Sequence, residues 1–290
     1  MNRNSITRKY LSLIFCLIVV LSSMSISAFA STSNNYLDLE IESNDTKETA
    51  TLIRRNSTTA VDWVNGKSFY HTFGEVSNPT DEDWFEVWLP SGTSTLNFAN
   101  YTRNLHLVVE VEDIYGNIVF APTIINVNDR EAHNIDIPTS GNYYIRISTN
   151  EVSFDTPISY RIVIGEPFYT TSSYTYNFNN TFTISSSSPT ATSTFSTKNI
   201  TSIPDKAIIY RVAIGGTQTN KASKQVRSIR VGGTSYWIDC PEYMFTNDNL
   251  VHLGIKAKNN WDFKLTASTF SSSSYSLKPN ISISYVYPES

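Results

Sequence analysis

The chain has 290 residues, a formal net charge of −4 and two cysteines. That length accommodates two ordinary domains, and two cysteines exclude a disulfide scaffold. The small negative charge excludes a broad basic footprint for nucleic acid.

The first thirty residues read as a leader. Arg3, Arg8 and Lys9 give a basic start, Leu11 to Leu21 is apolar, and Ala28-Phe29-Ala30 is a small-x-small cleavage signal. That order defines a secretory signal peptide over residues 1–30. The apolar run is short for a membrane span and no other long one follows, so no span is expected after its removal. Cys16 lies inside this run behind Phe15, which argues against lipoprotein attachment. Cys240 then stands alone as a small buried residue, with no histidine motif beside it.

Charge divides the remainder. Residues 36–165 hold 19 acidic and 8 basic side chains, whereas 166–290 hold 7 and 11. This asymmetry marks two domains with different surfaces. Within the first, Phe85, Val87 and Leu89 alternate up to the Pro90-Ser-Gly92 turn. Leu105, Leu107, Val109 and Val111 do so before Tyr115-Gly-Asn117. Tyr143, Ile145 and Ile147 follow Ser140-Gly-Asn142, and Tyr160, Ile162 and Ile164 close the domain. Short half-buried strands between such turns predict an antiparallel β-sandwich over 36–165. Only Asp45 to Arg55 suggests a helical turn.

Two acidic stretches stand at the edges of these strands, Glu40-Ile-Glu-Ser-Asn-Asp45 and Asp81-Glu-Asp-Trp-Phe85. Carboxylates this dense call for a cation, and calcium takes six to eight oxygen ligands. On an extended backbone Glu40, Glu42 and Asn44 project to one side and can converge on one ion. The plainer alternative is a polar extension with an Asx or capping turn at Asn44-Asp45-Thr46. Trp84, Glu86 and Trp88 alternate to the face opposite Phe85 and Val87. Trp84 and Trp88 are candidate ligand-face residues, or else rings packed beneath a crossing segment.

The order Glu-x-Glu-x-Asn-Asp-Thr, Thr49-Ala-Thr51, Asp-x-Asp-Trp-Phe, Pro-Ser-Gly-Thr93, Gly116-Asn117, Pro138-Thr-Ser-Gly141 and Tyr143-Tyr-Ile-Arg146 resembles the bacterial pre-peptidase C-terminal domain family. That family includes the collagen-binding domains of clostridial collagenases. The resemblance implies one structural calcium ion held by Glu40, Glu42, Asn44, Asp45, Asp81 and Asp83. It covers less than half of the chain beyond the leader. It transfers no collagen specificity, because the family's binding tyrosines have no identifiable counterparts here.

Residues 166–180 read as a connector rich in Ser, Thr and Tyr, and 181–290 as a second β-sandwich, jelly-roll-like, of no recognised family. Ile208, Tyr210, Val212 and Ile214 alternate up to Gly215-Gly216. Residues 229–231 and 236–238 flank Gly232-Gly233 as a hairpin. Strands are also expected at 253–257, 263–265 and 281–287. Lys221, Lys224, Arg227 and Arg230 form a basic group, read as a solvated edge or, alternatively, as a surface for teichoic acid or another polyanion.

No nucleophile elbow, zinc-binding helix or phosphate loop occurs, and Asp239, Glu242 and Asp262 read as exposed loop carboxylates. The expected protein is all-β, two antiparallel sandwiches in tandem after a signal peptide. It is expected to be secreted and non-catalytic, binding an extracellular polymer, protein or polysaccharide. The alternatives are a self-assembling surface or biofilm protein, and an enzyme with its site in the second domain.

Overall fold

The computed structural model describes residues 36–102, 105–126 and 130–289; the leader expected at 1–30 lies outside them. The first half contains β1 (Leu37–Leu39), β2 (Thr51–Leu52), the short helix α1 (Ala60–Val64), β3 (His71–Val76), β4 (Asp83–Leu89), β5 (Gly92–Asn100), β6 (Leu107–Asp113), β7 (Ile118–Ile125), β8 (Arg130–Ile137), β9 (Gly141–Ser148) and β10 (Ile158–Gly165). Two five-stranded sheets result, in the orders β1-β3-β10-β5-β8 and β2-β4-β9-β6-β7. Their strand pairings are antiparallel except β1 on β3 and β2 on β4.

Alternation decides which face each strand buries. Phe85, Val87 and Leu89 of β4 enter one core with Val109 and Val111 of β6 and Ile145 and Ile147 of β9. Opposite them stand Leu96 and Phe98 of β5 and Tyr160, Ile162 and Ile164 of β10. Each large apolar side chain withdrawn from water contributes roughly 1.5–3 kcal/mol, so this inter-sheet layer dominates the stability of the half.

Helix α1 is not among the expected elements, although its signal is present. Thr59 Oγ1 accepts from Asp62 N while the Asp62 carboxylate accepts from Thr59 N, a reciprocal capping box. The turn expected within Asp45 to Arg55 is a single 3-10 turn, Lys47–Thr49.

The second half contains β11 (Tyr169–Asn177), β12 (Phe182–Ile184), β13 (Thr190–Ser196), β14 (Ile208–Thr219), β15 (Ala222–Ser223), β16 (Val226–Val231), β17 (Ile238–Pro241), β18 (Thr246–Asn247), β19 (Asn260–Thr266), β20 (Thr269–Phe270) and β21 (Tyr275–Pro288). One sheet runs β11-β21-β14-β18, with β12 also on β21; the other runs β13-β19-β16-β17, and β15 and β20 form a small ribbon. Between the two larger sheets lies a separate core that includes Phe178, Phe195, Trp261, Phe263 and Ile283.

Four expectations for this half are corrected. The connector assigned to 166–180 is largely β11, in continuous register with β21 from Tyr169↔Pro288 to Asn177↔Asn280; alternating Tyr174 and Tyr176 pack against the core and hold it there. β14 does not stop at Gly215-Gly216. Gly216 sits at φ 137°, and a Cβ there would meet the Lys278 carbonyl at 2.3 Å, so glycine permits the close passage of β21. The strand expected at 253–257 is replaced by the 3-10 turn Val251–Leu253, ended by Gly254 in the left-handed region, and a single bridge from Lys256 to Ile208. The basic edge is divided. Lys221 and Lys224 are exposed, but Arg227 is buried, donating to the Ile214 carbonyl (2.8 Å) and Tyr275 Oη (3.2 Å) beneath the Phe245 ring. Arg230 pairs with Asp262 at 2.7 Å and lies over Trp237.

The described residues gather into one compact unit. Trp63 and Phe69 of the first half meet Phe168, and Trp63 also meets Tyr169. Among the described residues no helix is long and apolar enough to cross a membrane.

Candidate metal centre

The segment after β1 links the two sheets of the first sandwich. Glu40 N donates to the Phe73 carbonyl at 3.0 Å, and Ile41 N donates to Thr51 Oγ1 at 3.1 Å. Further on, Trp84 N donates to the Asn44 carbonyl at 3.0 Å. These bonds bring residues 40–45 against Asp83, the first residue of β4, and Asp81 just before it.

Two triads result. Carboxylate oxygens of Glu40, Glu42 and Asp83 lie within 4.8 Å of one another, as do those of Glu42, Asp45 and Asp81. Glu42 belongs to both, so five carboxylates form one continuous group. Asn44 joins through its side-chain amide, which donates to Glu40 Oε1 at 3.1 Å and the Trp84 carbonyl at 3.4 Å. All six residues named from the sequence therefore meet in one place.

Protein donors meet only part of this oxygen array. Glu75 N donates to Glu40 Oε2 (2.8 Å), and Ser77 N and Oγ donate to Asp81 Oδ2 (2.5 and 2.7 Å). Tyr160 Oη donates to Asp83 Oδ2 at 2.6 Å and lies 3.3 Å from Glu40 Oε1. Asn44 Oδ1 and Asp83 Oδ1 are buried without a partner. Among the described residues no lysine or arginine forms an ion pair with any of the five carboxylates. Burial, then the neighbouring Glu40, pushes the Asp83 carboxyl up to about 10. Glu42 is raised by burial and then by Glu40, Asp81 and Asp45. An all-oxygen donor set with two unpartnered buried oxygens and mutually repelling carboxylates fits a hard divalent cation.

Two participants escape a reading of the sequence. Tyr160 presents as one more core residue of β10, yet its hydroxyl reaches the acidic group from below. Gly74 of β3 makes room for it, since a Cβ there would stand 2.3 Å from Tyr160 Oη and 3.0 Å from Glu40 Oε2. Only a glycine inside an otherwise regular strand hinted at a close approach.

The two tryptophans part company. Trp84 is 8% exposed and offers no ligand face. The 3-10 turn lays Lys47 over its ring and that of Tyr144, while Arg146 lies 5.8 Å from it. Lys47 pairs with Glu112 and Arg146 with Glu110 at 2.7 Å, so a charged lattice covers this face. Trp88 remains 50% exposed, with Arg55 over its ring.

Another surface carries more rings. Phe69, just before β3, and His71 and Phe73 on its outer face follow in contact, and Tyr101 stacks on Phe73 at 5.9 Å and 23°. Tyr101 is 45% exposed. Phe69 continues into Phe168 by an edge contact at 4.5 Å.

The remaining sequence candidates are dispersed. Asp239 accepts from Ser228 Oγ, Glu242 from Gln225 N, and Asp262 from Arg230. His106 contacts Glu151 and His133 contacts Glu131. Cys240 is buried, and burial pushes its thiol up to about 12.

These sheets and cores define an all-β sandwich protein. No family model matches the chain, and no curated protein matches it. Among solved structures, the pre-peptidase C-terminal domain of a collagenase from Bacillus anthracis is similar to 40% of this chain and 93% of its own, with 14% identity and a TM-score of 0.28. The surface-associated copper-binding protein CorA of Methylomicrobium album BG8 matches over 41% and 98%, with 11% identity and a TM-score of 0.27. PliG, a periplasmic inhibitor of g-type lysozyme from Aeromonas hydrophila, matches over 40% and 98%, with 12% identity and a TM-score of 0.25.

Proposed function

We propose that the chain is a secreted, non-catalytic binding protein whose first sandwich, of the pre-peptidase C-terminal type, is stabilised by one calcium ion and attaches to an extracellular polymer. The observation that carries the attachment is the row Phe69, His71, Phe73 and Tyr101 along one sheet face. Ring faces held by a rigid sheet stack on sugars or proline-rich peptides with little loss of side-chain freedom.

Calcium has the supporting role. Glu40, Glu42, Asn44, Asp45, Asp81 and Asp83 would hold it, and its charge would relieve their repulsion. It would fasten residues 38–45 to the sandwich that bears the rings. At a free concentration a hundred times the dissociation constant, such an ion adds about 2.7 kcal/mol to stability.

The test is co-sedimentation with insoluble collagen, chitin, cellulose and peptidoglycan, with calcium or with a chelator. Retention on one of them, abolished by the pair Phe73→Ala and Tyr101→Ala, is the expected result. Failure to bind all four overturns the attachment. Calorimetry with calcium chloride decides the ion separately: a saturable heat lost in Glu42→Ala is expected, and its absence removes calcium from the account.

A further inference from the structure

A second site lies on the outer face of the β1-β3-β10-β5-β8 sheet, away from the acidic group. Leu96 and Phe98 of β5 point into the core, so Asn97 between them points outward, in register with Val163 of β10 and Ala132 of β8. An outward asparagine on a sheet is ordinarily wet. This one is 6% exposed, and its side-chain nitrogen has no hydrogen-bond partner.

The cover comes from two places, the segment between β10 and β11 and the residue that follows β21. Phe168 and Glu289 close over the sheet and are joined by a bond from Glu289 N to the Phe168 carbonyl at 2.8 Å. Between cover and sheet lies a cavity of about 150 Å³, lined by Asn97, Ala132, Arg161, Phe168 and Glu289 among others. A dry cavity of roughly that volume holds a benzene-sized molecule, so the space suits about six to eight heavy atoms.

Its polar groups are few and of opposite sign. Arg161 lies 5.7 Å from the Phe168 ring centroid, and among the described residues no carboxylate forms an ion pair with it. Asn97 adds an unused N–H donor. Glu289 supplies a carboxylate, one oxygen of which accepts from Thr170 Oγ1. Glu131 also lines the cavity, but its two oxygens are engaged by Asn126 and His133.

An unpaired guanidinium and an unpaired amide N–H together suit a carboxylate. A simple anion would meet Glu289 as a like charge, whereas a ligand that also carries an ammonium group would pair with it. We propose that this cavity binds a small zwitterionic amino acid, its carboxylate on Arg161 and Asn97 and its ammonium toward Glu289.

The purified protein would be titrated by calorimetry with glycine, alanine and serine, and with acetate and methylammonium as half-ligands. The amino acids are expected to bind at least about tenfold more tightly than either half-ligand. Arg161→Met and Asn97→Leu should each weaken them about tenfold or more. Glu289→Gln should weaken them too while strengthening acetate. Because Asn97 has no nitrogen partner to lose, Asn97→Leu should keep or raise the melting temperature, so its loss of binding would not come from misfolding. No saturable heat from any amino acid at tens of millimolar overturns the proposal. Acetate matching alanine, or unchanged binding in Asn97→Leu and Arg161→Met, does so as well.

Discussion

Tyr160 Oη donates to Asp83 Oδ2 at 2.6 Å, which joins the hydrophobic core of the first sandwich to the acidic group at its rim. The ring stacks on Phe98 at 5.6 Å while the hydroxyl reaches two of the carboxylates. Tyr160→Phe keeps the packing and removes only the donor. Expected is a loss of about 1–3 kcal/mol in calcium-free protein, the cost of stripping a buried polar group of its partner. With the proposed calcium bound, Asp83 would have the ion as a partner, and the loss should be smaller. Urea unfolding in chelator and in calcium measures both, and equal losses in the two would disconnect Tyr160 from the ion.

Gly74→Ala tests the same contact from the other side. The added methyl lands on the tyrosine hydroxyl, so Tyr160 must withdraw from Asp83 or β3 must shift. Overpacking of this kind costs about 1–3 kcal/mol. The heat of calcium binding should fall with it, and an alanine variant that melts and binds like the parent would refute the described approach.

His71 gives a pH dependence. Burial chiefly, and Arg161 in addition, hold its imidazole below the usual histidine range. The unfolded chain therefore takes up this proton at a higher pH than the folded one. The contribution of His71 is complete above pH ~6.5 and is lost as pH falls below that value. The urea midpoint should drop between pH 7.5 and 5.5, and His71→Gln should show a shallower drop. Parallel profiles for the two proteins would count against the shift.

Cys240 should be inert while the chain is folded. It is buried in the second core and its thiol is pushed up to about 12, so thiolate is scarce near neutral pH. A disulfide reagent is expected to label it only in denaturant. Stoichiometric labelling of native protein within minutes would show the core open at β17.

Much of the first sandwich can be read from the chain because one physical signal dominates it. Phe85, Val87 and Leu89, or Tyr160, Ile162 and Ile164, alternate without interruption, and burial follows alternation. The acidic group is legible for a related reason: its five carboxylates, with Asn44, sit in two short runs. Tyr160 and Gly74 are not legible, since both roles depend on β10, where Tyr160 lies 77 residues from Asp83 and 120 from Glu40. Trp84 shows the same limit. Its phase on β4 is correct, but the Lys47 that covers it arrives from a 3-10 turn that strand periodicity does not describe. In the second half, glycines at 216 and 254 look alike in sequence. One lets two strands pass closely and the other ends a turn, and only their neighbours distinguish them.

The pairing of β11 with β21 has a consequence for the order in which the chain acquires structure. All ten strands of the first sandwich are available once Gly165 has been made. The second core must wait, because β21 is the common neighbour of β11, β12 and β14 and ends only at Pro288. Tyr169 to Asn177 therefore spend the synthesis of about a hundred further residues without the strand they pair with, and closing so long a loop is slow. During that interval the alternating tyrosines of β11 present an unpaired edge. β11 ends as the outermost strand of its sheet, so its far edge stays unpaired in the finished structure as well.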